Sequence, residues 1–171
     1  MERQLVVFTL AGEYYGVSIF LVERIIDMQP IAFVPKSPPF VKGVIHISGL
    51  MLPVLDLRQR FDLPALPPNR GSRIVLVSVE GSTVGMIVDG VAGVVRVADG
   101  EIVRLPDLVL TPINRVFVTG VVQVGTLAGE KPGGRAAGSG QTVVLLDLPR
   151  VLSAAEVDEL RAFEQVWLAE L

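Results

Sequence analysis

The stretch Leu5-Val-Val-Phe-Thr-Leu-Ala-Gly-Glu-Tyr-Tyr-Gly16 is repeated 69 residues later as Ile74-Val-Leu-Val-Ser-Val-Glu-Gly-Ser-Thr-Val-Gly85. Each copy has an apolar run, a turn that contains a glycine, and a second run that ends in a glycine. This pattern is typical of a β-hairpin. The sequence therefore predicts two copies of one small β-rich unit.

The repeat continues beyond the hairpin, with insertions. Phe40-Val-Lys-Gly-Val-Ile-His-Ile47 matches Phe117-Val-Thr-Gly-Val-Val-Gln-Val124 at an offset of 77, and Leu55-Asp-Leu57 matches Leu146-Asp-Leu148 at an offset of 91. The second copy thus gains 14 residues between these two matches, and most of them are glycine, alanine or polar residues. Because this composition is typical of flexible loops, we predict that residues 127–140 are mobile.

Chance similarity between two valine-rich segments is the alternative to a duplication. Against it, several less common residues keep their order in both copies: Gly12/Gly81, Gly16/Gly85, Phe40/Phe117, Gly43/Gly120 and Asp56/Asp147. Glycines at fixed positions reflect backbone geometry rather than composition, so the pairs favour a true internal duplication.

Each copy contains about five short strands, which is enough to close a small β-barrel. We therefore predict a mainly β fold with two tandem five-stranded barrels, at residues 5–66 and 72–148, within a single domain at 1–152. The proline-rich residues 64–72 form the predicted joint between the two barrels.

Residues 153–171 differ from the rest and are predicted to form an amphipathic α-helix. Ser153-Ala-Ala-Glu156 has the pattern of a capping box, and apolar residues then recur at helical spacing. A helix packed on a barrel is favoured over a partner-binding helix, because amphipathic stripes usually face a core. The segment Phe20–Ile26 fits a short helix or a strand equally well.

Composition excludes several classes of protein. Half of the residues are hydrophobic and 19% are charged, so a disordered chain is excluded. No apolar run reaches the roughly 18 residues that cross a bilayer, and the N-terminus lacks signal-peptide anatomy, so we expect a soluble cytoplasmic protein. The net charge is −3, and the sequence has no basic stripe that would bind a phosphate backbone, so no nucleic-acid binding is expected.

The sequence offers little for catalysis, and we predict that the protein is not an enzyme and has no cofactor. It has no cysteine, and His46 is its only histidine, lying in an alternating strand pattern that favours an exposed imidazole. Asp56 and Asp147 occupy equivalent strand ends, where capping of the following turn explains both. No glycine-rich stretch has the spacing of a phosphate-binding loop.

Three segments carry a family resemblance. Phe40-Val-Lys-Gly-Val-Ile-His-Ile-Ser-Gly-Leu-Met-Leu-Pro-Val-Leu-Asp-Leu-Arg-Gln-Arg-Phe61 resembles the signature of CheW-type chemotaxis adaptors. Tyr15-Gly-Val-Ser-Ile-Phe-Leu-Val-Glu-Arg-Ile25 resembles their preceding motif, and Val88-Asp-Gly-Val91 the matching motif of the second half. The resemblance runs from about residue 4 to 153 and implies two five-stranded SH3-like barrels, in agreement with the repeat.

The resemblance also implies a function and its surfaces. Such proteins are non-enzymatic scaffolds that couple the signalling tip of methyl-accepting, transmembrane chemoreceptors to the regulatory domain of the histidine kinase CheA. This implies a cytoplasmic protein, peripheral to membrane-bound receptors. The residues implied in receptor binding are Val22, Lys42, Ser48 and Val91. Those implied in kinase binding are Arg24, Ile31 and Gly43. For Val22 and Val91, plain burial in a core is the open alternative.

Two positions depart from the family pattern. The chain has His46-Ile-Ser48-Gly49 where the family usually has Asn-Leu-Arg-Gly, and Arg24 where an acidic residue is usual. A changed charge at an interface commonly accompanies a changed partner. One alternative is therefore a related adaptor of a non-chemotaxis system, such as surface motility. Another is an enzyme built on SH3-like barrels, with His46 as its one credible residue.

Overall fold

The computed structural model describes residues 2–35, 37–104, 118–125 and 141–151, together with Glu156 and Glu159. These residues form a mainly β structure, which confirms the predicted fold class. The strands are β1 (Glu2–Leu10), β2 (Glu13–Ser18), β3 (Val22–Asp27), β4 (Val41–Ile47), β5 (Leu50–Asp56), β6 (Arg73–Val79), β7 (Ser82–Val88), β8 (Gly90–Ala98), β9 (Val118–Val124) and β10 (Gln141–Leu146). Two short helices, α1 (Leu57–Arg60) and α2 (Leu148–Val151), follow β5 and β10.

The strands form two five-stranded sheets. Sheet A has the order β8-β1-β2-β10-β9, and sheet B has the order β3-β6-β7-β5-β4. The first hairpin of each repeat therefore lies in the sheet that is completed by the other repeat. Sheet A combines the hairpin β1–β2 with three strands of the second repeat, and sheet B combines the hairpin β6–β7 with three strands of the first.

This exchange corrects the predicted division of the chain. The boundaries 5–66 and 72–148 do not delimit the two sheets, since each sheet contains strands from both ranges. The physical reason is that each hairpin pairs in parallel with a strand of the other repeat. β2 of the first hairpin pairs with β10, and β7 of the second hairpin pairs with β5. The duplication itself is reproduced strand by strand, because each position in sheet A is occupied by the repeat equivalent of the same position in sheet B.

The strand registers repeat as well. Leu145 lies opposite Gly16 in sheet A, and their equivalents Val54 and Gly85 lie opposite each other in sheet B. Irregularities in the ladders also recur, at Val22/Arg24 and at the matching part of the β1–β8 pair. Shared bulges and registers show that the offsets in the sequence correspond to equivalent backbone geometry.

Three hairpins close with two-residue turns of the same kind. Ala11–Gly12, Ser48–Gly49 and Glu80–Gly81 have φ angles of 51° and 80°, 51° and 79°, and 50° and 83°. Positive φ at both central residues is the geometry whose twist matches the flanking strands, and glycine adopts it without a steric cost.

Gly43 and Gly120 are equivalent buried residues that let another segment cross over them. A Cβ at Gly43 would lie 2.5 Å from the carbonyl oxygen of Ala32, and one at Gly120 would lie 2.8 Å from that of Val103. Ala32 bridges to Val44, and Val103 bridges to Val121. Gly43 thus allows the segment after β3 to bridge to β4, and Gly120 allows the segment after β8 to bridge to β9.

The core is divided into three clusters. A central cluster takes residues from both sheets, namely Val6, Phe8, Leu10, Val17, Val41, Leu55, Leu57, Val75, Val77, Val79, Val84, Met86, Val88, Leu146, Leu148 and Val151. Smaller clusters lie within sheet A, around Val7, and within sheet B, around Ile74. Successive residues of β1 and β6 alternate between the central cluster and the sheet's own cluster, so both faces of these strands are buried.

Two predictions fall on residues that are not described. The predicted mobile loop 127–140 lies outside the described residues, as does most of the predicted helix 153–171. Within that helix, Glu156 and Glu159 are helical. The ambiguous segment Phe20–Ile26 contains the end of a 3-10 turn, Ile19–Leu21, followed by β3.

Candidate docking surfaces

Val22 and Val91 occupy equivalent positions in the two sheets. Val22 pairs with Val77, and Val91 pairs with Phe8, which is the repeat equivalent of Val77. Both valines are partly exposed, and both pack against the central cluster. The two side chains are therefore neither plain core nor plain surface, because each covers the cluster that both sheets share.

Lys42 is exposed on β4, at the irregular position where β4 and β5 change register. Its ammonium lies 3.7 Å from the carboxylate of Asp56. The other carboxylate oxygen of Asp56 accepts a hydrogen bond from the backbone N–H of Arg58, at 2.9 Å. Asp56 thus caps α1, as predicted, and also balances the charge of Lys42.

Ser48 lies far from Lys42. It is exposed and is the first residue of the turn between β4 and β5. It is six positions from Lys42 along extended strand, which corresponds to roughly 20 Å. Of the four residues implied in receptor binding, Val22 and Val91 thus share the central cluster, whereas Lys42 and Ser48 lie towards opposite ends of β4.

The residues implied in kinase binding all belong to sheet B or the segment that crosses it. Arg24 is exposed on β3, and Ile31 is partly buried against the sheet B cluster. Gly43 is buried beneath this segment, and a Cβ there would lie 2.6 Å from Cγ2 of Ile31. Gly43 therefore leaves room for Ile31 to pack closely on β4, whereas Arg24 lies exposed on β3.

A partly buried ion pair, which the sequence analysis did not predict, joins three other parts of the fold. Arg58 of α1, which is 9% exposed, donates from Nε to Oδ1 of Asp89 at 2.9 Å and from Nη2 to Oδ2. Its Nη1 donates to the carbonyl of Pro64 at 2.9 Å. The carboxylate of Asp89 also accepts from the backbone N–H of Ala11 at 2.8 Å. The pair therefore links α1, the β7–β8 connection and the β1–β2 turn.

This environment shifts the pKa of both partners. Partial burial by itself would raise the pKa of Asp89, but the hydrogen bonds from Arg58 and Ala11, with the charge of Arg58, lower it below its ordinary value. The hydrogen bond to Asp89 raises the pKa of Arg58 against the opposing effect of burial. Both groups are thus held in their charged forms. The paired motifs Asp56-Leu-Arg58 and Val88-Asp89 are the only signal in the sequence that could have indicated this contact.

A second arginine, Arg60, binds the last residue of α2 and a glutamate five positions further along the chain. Its Nε donates to the carbonyl of Val151 at 2.7 Å, and its Nη1 and Nη2 donate to the carboxylate of Glu156 at 2.9 and 2.6 Å. Arg60 and Glu156 are partly buried, and their bidentate pair joins the helix after β5 to the helical segment near the C-terminus.

The structure also shows where His46 and the possible metal ligands lie. His46 is exposed on β4 opposite Met51, as predicted. In the described part of the chain, no group of three or more histidine, aspartate or glutamate side chains is placed to hold a metal ion. Nor is any helix there long and apolar enough to cross a membrane.

Several large apolar side chains project into solvent. Phe20 is 91% exposed in the turn before β3, Phe33 is 77% exposed, and Ile25 on β3 is 41% exposed. Ile25 and Arg24 are neighbours on β3, so the exposed part of this strand has both an apolar and a charged side chain. Surfaces of this composition are typical of protein docking.

Comparison with known proteins agrees with this description. Residues 4–156 match the model of the CheW-like domain family. The chain is 30% identical over 163 residues to the chemotaxis protein CheW of Treponema pallidum, covering 93% of this chain and 87% of that protein. It is 25% identical over 158 residues to the chemotaxis protein CheW of Thermotoga maritima, covering 92% and 93% of the two chains.

A solved structure is similar over the same range. The crystal structure of the scaffolding protein TtCheW from Thermoanaerobacter tengcongensis matches with a TM-score of 0.72 and 28% sequence identity. The match covers 90% of this chain and 94% of that one. Nearly the whole chain therefore shares the fold of that protein.

Proposed function

This chain belongs to the CheW-like domain family, and from that premise we propose that it couples methyl-accepting chemoreceptors to the regulatory domain of the histidine kinase CheA. The family consists of chemotaxis scaffolds rather than enzymes. In this proposal the protein works in the cytoplasm, beside membrane-bound receptors, and its activity consists of binding two different partners.

The observation that best supports the proposal is the relation between Val22 and Val91. Both are partly exposed, both pack on the cluster shared by the two sheets, and they are equivalent in the repeat. A helical receptor tip that docks over the junction of the sheets would contact both, burying apolar surface that each leaves in water. Lys42 would contribute a charge at the side of this contact.

The kinase surface is proposed to be separate. Arg24 lies on β3, at one edge of sheet B, and Ile31 lies in the segment after β3, which packs closely over Gly43 of β4. Because β3 is an edge strand, a partner of similar fold could pair with it edge to edge. Two different surfaces on one small protein are what a coupling function requires.

No observation favours a surface-motility adaptor, since the relatives described above are chemotaxis proteins. Ser48 nevertheless lacks the guanidinium that the family signature would carry at the β4–β5 turn. We propose that Ser48 has a backbone role in this turn and that the receptor contact depends on Val22, Val91 and Lys42.

The proposal is tested by titrating the protein with the CheA regulatory domain and, separately, with a receptor signalling-tip fragment from the same organism. Association with both, and a ternary complex when all three are mixed, is the expected result. Absence of binding to either partner at tens of micromolar would overturn the proposal. Val22→Asp is expected to weaken receptor binding selectively, and Glu80→Ala, at the exposed β6–β7 turn, is the surface control.

A further inference from the structure

The charged side chains of β3 differ in whether they form a hydrogen bond or an ion pair. The two carboxylate oxygens of Glu23 lie 3.1 and 3.0 Å from the hydroxyl of Thr83. Asp27 forms an ion pair with Arg73, at 3.3 Å. Arg24 is exposed, and the described part of the chain gives its guanidinium neither an ion pair nor a hydrogen bond. Among the charged side chains of β3, Arg24 is therefore the one without a hydrogen bond or ion pair to the described residues.

β3 is also a strand with one open side. It lies at the end of sheet B and pairs with β6, and among the described residues no strand pairs with its other edge. Arg24 lies opposite Leu76 of β6, on the side of the strand that also carries Ile26. Ile25, on the opposite face, is 41% exposed. A strand added to this edge would lie beside a free cation and an exposed apolar side chain.

We infer that the segment that docks on the β3 edge carries a carboxylate facing Arg24, and that this segment belongs to the kinase regulatory domain. The inference rests on the proposed function for the identity of the partner and on charge complementarity for its chemistry. The acids of β3 are already engaged, so Arg24 is not neutralised within the strand. A guanidinium binds a carboxylate through two parallel hydrogen bonds, and a directly opposed residue on an added strand lies within reach of it.

An edge-strand arginine also has a simpler role, which is to deter unwanted strand pairing. The two roles predict different results. A deterrent acts through the presence of charge of either sign, so Arg24→Glu would preserve it. A docking contact depends on the sign of the charge and on the partner residue.

The test compares the affinity of the regulatory domain for the wild-type protein and for Arg24→Glu, Arg24→Lys and Arg96→Glu, by calorimetric titration at low and high ionic strength. Arg96 is the matched control, because it is exposed on β8, the edge strand of sheet A that is equivalent to β3. All variants are first checked for an unchanged circular dichroism spectrum and melting temperature.

Arg24→Glu is expected to weaken binding at least about tenfold, and Arg96→Glu to change it less than about twofold. Arg24→Lys should bind with intermediate affinity, and added salt should weaken the wild type more than Arg24→Glu. Reversing one acidic residue of the regulatory domain's docking edge to arginine should restore binding to Arg24→Glu. Equal affinities of the wild type and Arg24→Glu would overturn the inference while leaving the proposed function intact. A wild-type protein that binds neither partner would overturn both.

Discussion

Arg58 and Asp89 form a doubly hydrogen-bonded ion pair that the internal repeat contains only once. The repeat equivalent of Asp89 is Phe20, which is 91% exposed, and the equivalent of Arg58 is Pro149. One repeat is thus held at this position by a partly buried ion pair, whereas the other exposes an aromatic side chain at the equivalent position. The two repeats share a backbone plan but differ in what they do at this position.

Removing one member of the pair is expected to destabilise the protein. Arg58→Ala leaves the carboxylate of Asp89 partly buried without its cation, and should lower the free energy of unfolding by about 2 to 3 kcal/mol. Urea denaturation followed by circular dichroism measures this change. The exposed pair between Arg3 and Asp99 is the control, and Arg3→Ala should cost less than about 1 kcal/mol. Equal effects of the two substitutions would contradict the structural role of Arg58.

The same pair predicts a dependence of stability on pH. Because the pKa of Asp89 is lowered in the folded state, its contribution is present above the unfolded-state pKa of about 4 and is lost as the pH falls through the folded value. Melting temperatures of the wild type and Asp89→Asn should therefore differ most near neutral pH and converge in acid. A constant difference down to pH values of about 2 would argue against this assignment.

The two-residue turns predict opposite effects at adjacent positions. Gly49 has a φ of 79°, so Gly49→Ala should destabilise the protein by about 1 kcal/mol. Ser48→Asn should stabilise it by about 0.5 kcal/mol, because asparagine tolerates the left-handed conformation better than serine. Gly100→Ala is the control, as Gly100 has no positive φ and open space around it. Thermal denaturation checks all three, and a neutral Gly49→Ala would refute the turn geometry.

Gly43 and Gly120 should both resist substitution for a steric reason. Alanine at either position places a methyl group against a backbone carbonyl, at 2.5 or 2.8 Å, which the crossing segment relieves only by moving. We expect a loss of about 1 to 3 kcal/mol for each variant. Gly125→Ala, where nothing lies within 4 Å, should be nearly neutral. Kinase binding by Gly43→Ala is informative only after its melting temperature is known, because Ile31 is expected to shift with it.

Cleavage of the segment between the repeats should leave the protein assembled. Residues 64–71 are exposed, and each sheet takes strands from both sides of this segment. A protease site inserted at residues 66–68 and cut in the folded protein should yield two fragments that elute together in gel filtration under native conditions. They should separate only in denaturant. Separation in native buffer would contradict the exchanged topology.

Local features of the fold could be predicted from the sequence because they depend on neighbouring residues. Turn glycines such as Gly12 and Gly81 and the cap at Asp56 follow from backbone geometry, and the structure confirms them. The sheet to which each hairpin belongs could not be predicted. It depends on parallel pairing between strands whose paired residues are 129 positions apart in one case and 31 in the other, and hydrophobic alternation is the same for either choice.

For the candidate docking surfaces, some features could be predicted from the sequence and others could not. The exposed His46 follows from strand alternation, and the separation of Lys42 and Ser48 follows from the length of β4, but the burial of Gly43 depends on the segment that crosses it. Arg58 illustrates the limit most clearly. A charged residue is normally expected at the surface, and only the folded chain brings Asp89 to it across 31 positions.

The exchanged hairpins also bear on how such a protein could arise. A chain with one repeat would have a hairpin with no place in its own sheet, and two such chains would complete each other only as a symmetric dimer with intertwined strands. When the two chains are joined end to end, the sequences of the two halves can diverge. Single-copy features then become possible, such as the pair at Arg58 and the free guanidinium at Arg24, whose counterpart is Gly93. Gene fusion would thus have turned a symmetric dimer into a molecule with two distinguishable ends.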